Sequence, residues 1–520
     1  MKHTLALVLV PLLAFAGCSG NATSWNTDDG GNPGDDGGNP GDDGGNPGDD
    51  SGPNPPPTNA PLATGLSVTG IAVDQAVEVT VVKNGAAVTK NAPIVAGRRG
   101  IVRVFVTPGG GWSPHAITGV LTLHTAGQDH VFTANLSPSA ASSDATFSST
   151  FNFIVDAASF GDDTTYLVQL KDPNGPSPGD QTAQYPNSGT PASLGVETSG
   201  DVHIVVYPIT FSSGGGTPAT GSVDISAYQK EVLNLYPAAS VTITVQSTIT
   251  YTGAIPTANG SNWSSLLNWF TTNYRAKDAN HADYYYGAFA PTSSFASFCS
   301  QGCVAGLSSI PSSPSNYTVK ASIGLVYGGD TQDQQATGQT MAHEVGHGHG
   351  RAHAPTSYNV QGCSQPSGID PGYPYSNGAI GVWGYDLYNA KPIDPSQYYD
   401  IMGYCAYDWI SDYTYKALFS WIQTDNGADM SVSSTLARYR MIVVNGDGTL
   451  TLGDAFDAYG PISGDAHTVT YELNGQTRTA TGYYFPYDHI PGGYVLVPEP
   501  AGFTSIGVAD FSKTAIRVTR

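Results

Sequence analysis

Residues 343–353 read His-Glu-Val-Gly-His-Gly-His-Gly-Arg-Ala-His. His343 and His347 are four positions apart, so on a helix both rings project from one face, about one turn apart. Two imidazoles so placed can reach one metal ion. Gly350 follows three residues later. A glycine there supplies the left-handed backbone that stops a helix and reverses the chain. His353 can then return as a third ligand. Three protein ligands leave the fourth position of zinc to water, the arrangement of a catalytic site and not of a structural one. Glu344 adjoins the first ligand and is placed to accept that water's proton. His349 falls on another face of the helix and is left out of the ligand set.

Downstream, Tyr399-Asp400-Ile401-Met402-Gly403-Tyr404 forms a second motif. Together the two resemble the metzincin clan of zinc metallopeptidases, whose signature is HExxHxxGxxH followed by a Met-bearing turn under the metal. The resemblance covers the catalytic region only, and within the clan it is nearest to large secreted bacterial enzymes, including those that cut mucin-type glycoproteins. It implies Zn2+ held by His343, His347 and His353, with Glu344 as general base and proton shuttle. It implies Met402 as the Met-turn residue. Tyr404, two residues on, matches the tyrosine that some members use as an extra ligand or oxyanion stabiliser. Ser322–Tyr327 and 302–307 resemble the cleft edge along which an extended peptide pairs. Ala354 stands where some families carry Asp, so no subfamily is assigned. Trp383 and Tyr385 lie where the clan forms its specificity pocket, and a core role for them is equally open.

Outward from this centre the pattern is mixed. Val202–Tyr207, Ser240–Val245, Ala282–Ala290 and Ser322–Tyr327 read as strands, and 224–235 and 262–274 carry apolar residues at helical spacing. That alternation predicts an α/β (α+β) domain over 201–430. Short alternating strands with Gly, Pro and Asn between them fill 61–200, predicting a β-sandwich domain. Strands return over 431–520, where a second, C-terminal β-sandwich is expected. Arg438–Val444 and 449–452 flank Asn-Gly-Asp-Gly, a hairpin signal.

Four cysteines lie in the catalytic region: Cys299, Cys303, Cys363 and Cys405. An even number in an exported chain favours two disulfides, with three connectivities open. Cys299–Cys303 would close a tight loop. Cys363–Cys405, the preferred pairing, would tie the segment after the third ligand to the Met-turn.

The amino terminus is an address. Residues 1–18 carry one Lys, an apolar run too short to span a bilayer, and Phe-Ala-Gly-Cys at 15–18. This resembles a bacterial lipobox, with Cys18 the lipidated residue. Residues 19–60 repeat Gly-Gly-Asn-Pro-Gly-Asp-Asp and hold eight Asp and no basic residue. They read as a disordered, self-repelling tether.

The whole chain has 520 residues, 42 acidic and 20 basic, for a net charge of −22. This acidity argues against nucleic acid as a partner and against a basic membrane-surface helix. The expectation is an exported, monomeric zinc endopeptidase, extracellular or on the bacterial outer surface. Its membrane contact would be the lipid anchor alone, and its substrate a protein or glycoprotein. The competing expectation is a non-enzymatic surface adhesin with a degenerate metal site.

Overall fold

The computed structural model describes residues 59–214, 225–328, 331–406, 408–427 and 435–518. The signal-like segment, Cys18 and most of the Asp-rich repeat region lie outside these residues. The chain builds three regions in order, and the seams between them are closed by shared apolar cores.

The first region is two facing antiparallel sheets. One runs β2-β1-β3-β6, from β1 (Leu66–Asp74), β2 (Glu78–Lys83), β3 (Gly100–Pro108) and β6 (Phe151–Val155). The other runs β7-β4-β5, from β4 (Ile117–Thr125), β5 (Gln128–Leu136) and β7 (Thr165–Lys171). Alternation decides which side chains enter the core. Along β7, Tyr166, Val168 and Leu170 are buried while Thr165, Leu167 and Gln169 are only partly covered.

The second region holds a parallel sheet ordered β9-β8-β10-β12-β11. Its members are β8 (Val202–Phe211), β9 (Val241–Val245), β10 (Asp283–Phe289), β11 (Gly306–Ser308) and β12 (Ala321–Leu325). Only β11, at the edge, runs antiparallel to its neighbour. Every residue of β10 and β12 is buried, as expected of parallel strands covered on both faces.

Helices α1 (Ile225–Leu235) and α3 (Thr331–Gly348) cover one face, and α2 (Trp263–Asn273) covers the other. On β8, Ile204 and Val206 meet Tyr228, Val232, Met341 and Val345 on the first face. Val205 and Ile209 meet Trp263, Leu266 and Phe270 on the second. Helix α4 (Asp412–Asp425) closes the first core with Tyr415, Leu418 and Ile422, and is capped by Ser411, whose hydroxyl accepts from the Thr414 amide.

The third region differs from the expected sandwich. It is one seven-stranded antiparallel sheet, containing β13 (Leu436–Asn445), β14 (Leu450–Tyr459), β15 (Asp465–Leu473), β16 (Gln476–Pro486), β17 (Gly492–Pro498) and β18 (Ser505–Val508). The reason lies in how its two faces are buried. One packs Ile442, Val469, Val495 and Ile506 into a small core of its own. The other offers Tyr439, Met441, Tyr487, Tyr494 and Leu496 to the α2 face of the parallel sheet. The second region thus supplies the layer that a second sheet would have supplied. The β13–β14 hairpin turns at Asn445–Thr449, the Asn-Gly-Asp-Gly site.

Among the described residues, no helix is long and apolar enough to cross a membrane. Both cysteine pairings form: Cys299 with Cys303, and Cys363 with Cys405.

Candidate active site

The last turns of α3 carry His343, Glu344 and His347 on the face turned towards β11 and the Met-turn. The helix ends in a Schellman arrangement: the Gly350 amide donates to the His347 carbonyl and the Arg351 amide to that of Gly346. Gly350 has φ +71°, and a Cβ there would lie 2.4 Å from the Trp421 ring. Both facts require glycine. The reversed chain is then pinned, since the His353 amide donates to Gly368 and its carbonyl accepts from Asp370. His353 therefore returns beside the helix it has just left.

Each of the three rings is oriented the same way. Nδ1 of His343 donates to the Ile401 carbonyl, that of His347 to Arg351, and that of His353 to Ser367, each at 2.6 Å. A backbone carbonyl can only accept, so Nδ1 holds the proton and Nε2 keeps a lone pair. All three Nε2 atoms point inward. Those of His343 and His347 are 3.0 Å apart.

Burial and the neighbouring rings hold His347 and His353 well below the ordinary imidazole range, and burial pushes His343 down to about 3. Neutral rings facing one another with lone pairs have no proton to share. His353 Nε2 is buried with no hydrogen-bond partner. A cation among the three Nε2 atoms would satisfy it, so the residues fit a bound metal. Nitrogen donors of this kind suit zinc among several transition metals.

The turn at 399–404 lies against the helix. Met402 is buried, and its sulfur would be 2.6 Å from a Cβ on Gly346, so glycine leaves the space that methionine fills. Asp400 fixes the turn: its carboxylate accepts from the Met402 amide at 2.8 Å, from the Ser411 amide and hydroxyl, and from the Tyr373 hydroxyl. The Cys363–Cys405 bridge ties this turn to the strip after His353.

Tyr404 stands beside the histidines, its ring centroid 4.9 Å from that of His353. His349 is elsewhere, stacked on Tyr284 at 4.0 Å and donating to Val345. Tyr385 stacks on Phe147 of the first region, at a seam between regions.

Glu344 is 1% exposed, and burial lifts its carboxyl to about 8. Edge strand β11 presses against it: a Cβ on Gly306 would fall 2.2 Å from Oε1. Two further residues of the site were not found from sequence, Asp488 and His489 on the loop between β16 and β17. Imidazole nitrogens of His343, His347, His353 and His489 all lie within 4.8 Å of one another, and Glu344, Asp488 and His489 form a second group of the same compactness. His489 Nε2 is 2.8 Å from Glu344 Oε1, and Asp488 Oδ2 is 3.2 Å from His347 Nε2. The Tyr404 hydroxyl is hydrogen-bonded to His489 Nδ1. The sole local signal for this loop is an Asp-His pair between Pro486 and Pro491, with no spacing that relates it to residue 353.

No protein-family model and no curated protein matches the chain. Among solved structures it is similar to metalloproteinase-II from Bacteroides fragilis, at 13% identity, over 64% of this chain and 85% of that one, with a TM-score of 0.26. It is also similar to a putative beta-galactosidase from Bacteroides fragilis, at 10% identity, over 81% and 73% of the two chains, with a TM-score of 0.12. Overlaps this loose carry no argument about function, which has to come from the side chains of the site.

Proposed function

We propose that the chain is an exported zinc endopeptidase of the metzincin type that acts on protein or glycoprotein substrates. The observation that carries this reading is the convergence of three Nδ1-anchored histidines around an orphaned Nε2, with the buried Glu344 next to His343 on the same helix. His343, His347 and His353 would hold the ion. When bound, it supplies a polarised water and a Lewis acid for the scissile carbonyl.

Glu344 takes the proton of the attacking water on its carboxylate and delivers it to the leaving nitrogen. Its buried setting raises its basicity and suits both halves of that transfer. Tyr404 offers a hydroxyl at the rim, where oxyanion charge develops. Strand β11 offers backbone groups along which an extended peptide can lie.

The test is Glu344→Gln in the full chain, with prolonged incubation on casein and on a mucin-type glycoprotein. The expected result is loss of chelator-sensitive cleavage, with zinc content still near one per chain. Cleavage that survives the substitution would refute the role given to Glu344.

A further inference from the structure

A catalytic zinc needs an open position facing a cleft. Here the cleft is filled by the chain itself. The loop from β16 to β17 runs antiparallel along edge strand β11 and its continuation. The Ile310 amide donates to the Pro486 carbonyl, Ser309 bridges Tyr487, and the Asp488 amide donates to the Ser308 carbonyl. The Ser308 amide is taken by the Asp488 carboxylate at 3.0 Å. These are the edge-strand groups a peptide would use.

The opposite wall is engaged too. The Ser367 hydroxyl donates to the Asp488 carbonyl at 3.1 Å, and Tyr404 holds His489 Nδ1. Tyr487 anchors the strip from behind, donating to Asn268 Oδ1 at 2.9 Å. His489 is thereby delivered to the inner face of the site. Its ring centroid is 5.1 Å from those of His343 and His353, and 5.7 Å from that of His347. His347 and His353 are 0% exposed and His343 8%, so substrate has no open approach to their shared face.

We propose that residues 486–489 are a built-in occupant of the peptide cleft, with His489 a fourth protein ligand of the metal, so that the chain as folded is a latent form of the enzyme. The inference rests on the peptidase reading above. Four imidazoles close the coordination shell that catalysis needs open. Strand pairing holds the loop, and the two prolines that bracket it, Pro486 and Pro491, donate no backbone hydrogen bonds of their own. Activation consists of the loop leaving β11, which frees the metal position and the edge strand in one movement.

The experiment compares the full chain with His489→Gln, which keeps the side chain's length and polarity, and with His489→Ala. Each is loaded with Co2+ for its visible absorption spectrum and with Zn2+ for chelator competition, and each is assayed on casein. The expected result is a shifted Co2+ spectrum in both variants, zinc held at least tenfold more weakly, and cleavage at least tenfold faster than in the unaltered chain. Adding Glu344→Gln to His489→Gln then removes the gained activity. A His489→Gln spectrum identical to that of the unaltered chain, with cleavage unchanged or slower, overturns the proposal. In that case cleavage by the unaltered chain leaves the peptidase reading standing. A shifted spectrum with no cleavage by any chain supports the ligand and refutes the peptidase. Failure of the unaltered chain to bind either metal overturns both.

Discussion

The two β-rich regions that flank the parallel sheet are alike in composition and strand pattern, yet among the described residues only the third region enters the candidate site. The first region keeps its histidines on polar errands of its own. His115 Nε2 pairs with the buried Asp172 at 2.8 Å and His124 Nδ1 with the exposed Asp129 at 2.6 Å. The third region sends Asp488 and His489 up to the histidine cluster. The difference follows from burial. The first region makes a core from two sheets of its own facing each other, and that core runs on into the α1 and α4 side of the second region. The third has a single sheet, so one apolar face must lie on the α2 side of the parallel sheet, and that contact carries the β16–β17 loop to edge strand β11.

The largest effect that could break this contrast is on metal content. His347→Ala should abolish cleavage and bring bound zinc close to zero, while His115→Ala should leave both unchanged. Elemental analysis and a cleavage assay read this directly, and loss of zinc from the His115 variant would end the distinction. Next is stability. Leu496→Ala removes a fully buried side chain from the core shared by β17 and α2, at a cost of about 2–5 kcal/mol. The third region and the parallel sheet should still melt in one calorimetric transition, because they share one core. Two separate transitions would show that the regions are independent.

The smallest effect sharpens the picture of the first region. Asp74 is buried there, both its oxygens lack hydrogen-bond partners, and burial, opposed by Arg103, lifts its carboxyl to about 7. The folded state thus holds a proton that the unfolded chain releases near pH 4. That contribution to stability is complete below pH 4 and is lost as pH rises towards 7. A melting temperature that falls by a few degrees over this range, and falls less in Asp74→Asn, is the expected outcome.

Much of the site was legible because its residues are close in sequence and helical spacing does the positioning. His343, Glu344 and His347 share α3, Gly350 turns the chain, and His353 follows at once. The Met-turn could be read because Asp400, Met402 and Tyr404 lie in one short motif. Asp488 and His489 were not legible. Their role comes from tertiary packing of a sheet whose strands look like any others, and no local period links them to the helix. The same cause hid the single-sheet nature of the third region: alternation shows that a strand has a buried face, but not what buries it. Tyr385 was ambiguous for the same reason, and its partner proved to be Phe147.

The contact between Glu344 and His489 spans 145 residues of chain. Local helices form early, while contacts of such separation wait on the ordering of everything between them. On a chain made from its amino terminus, the strip that carries His489 is the last part of this contact to be made. Because the last sheet shares its core with the parallel sheet, cleft and occupant complete their folding in one step.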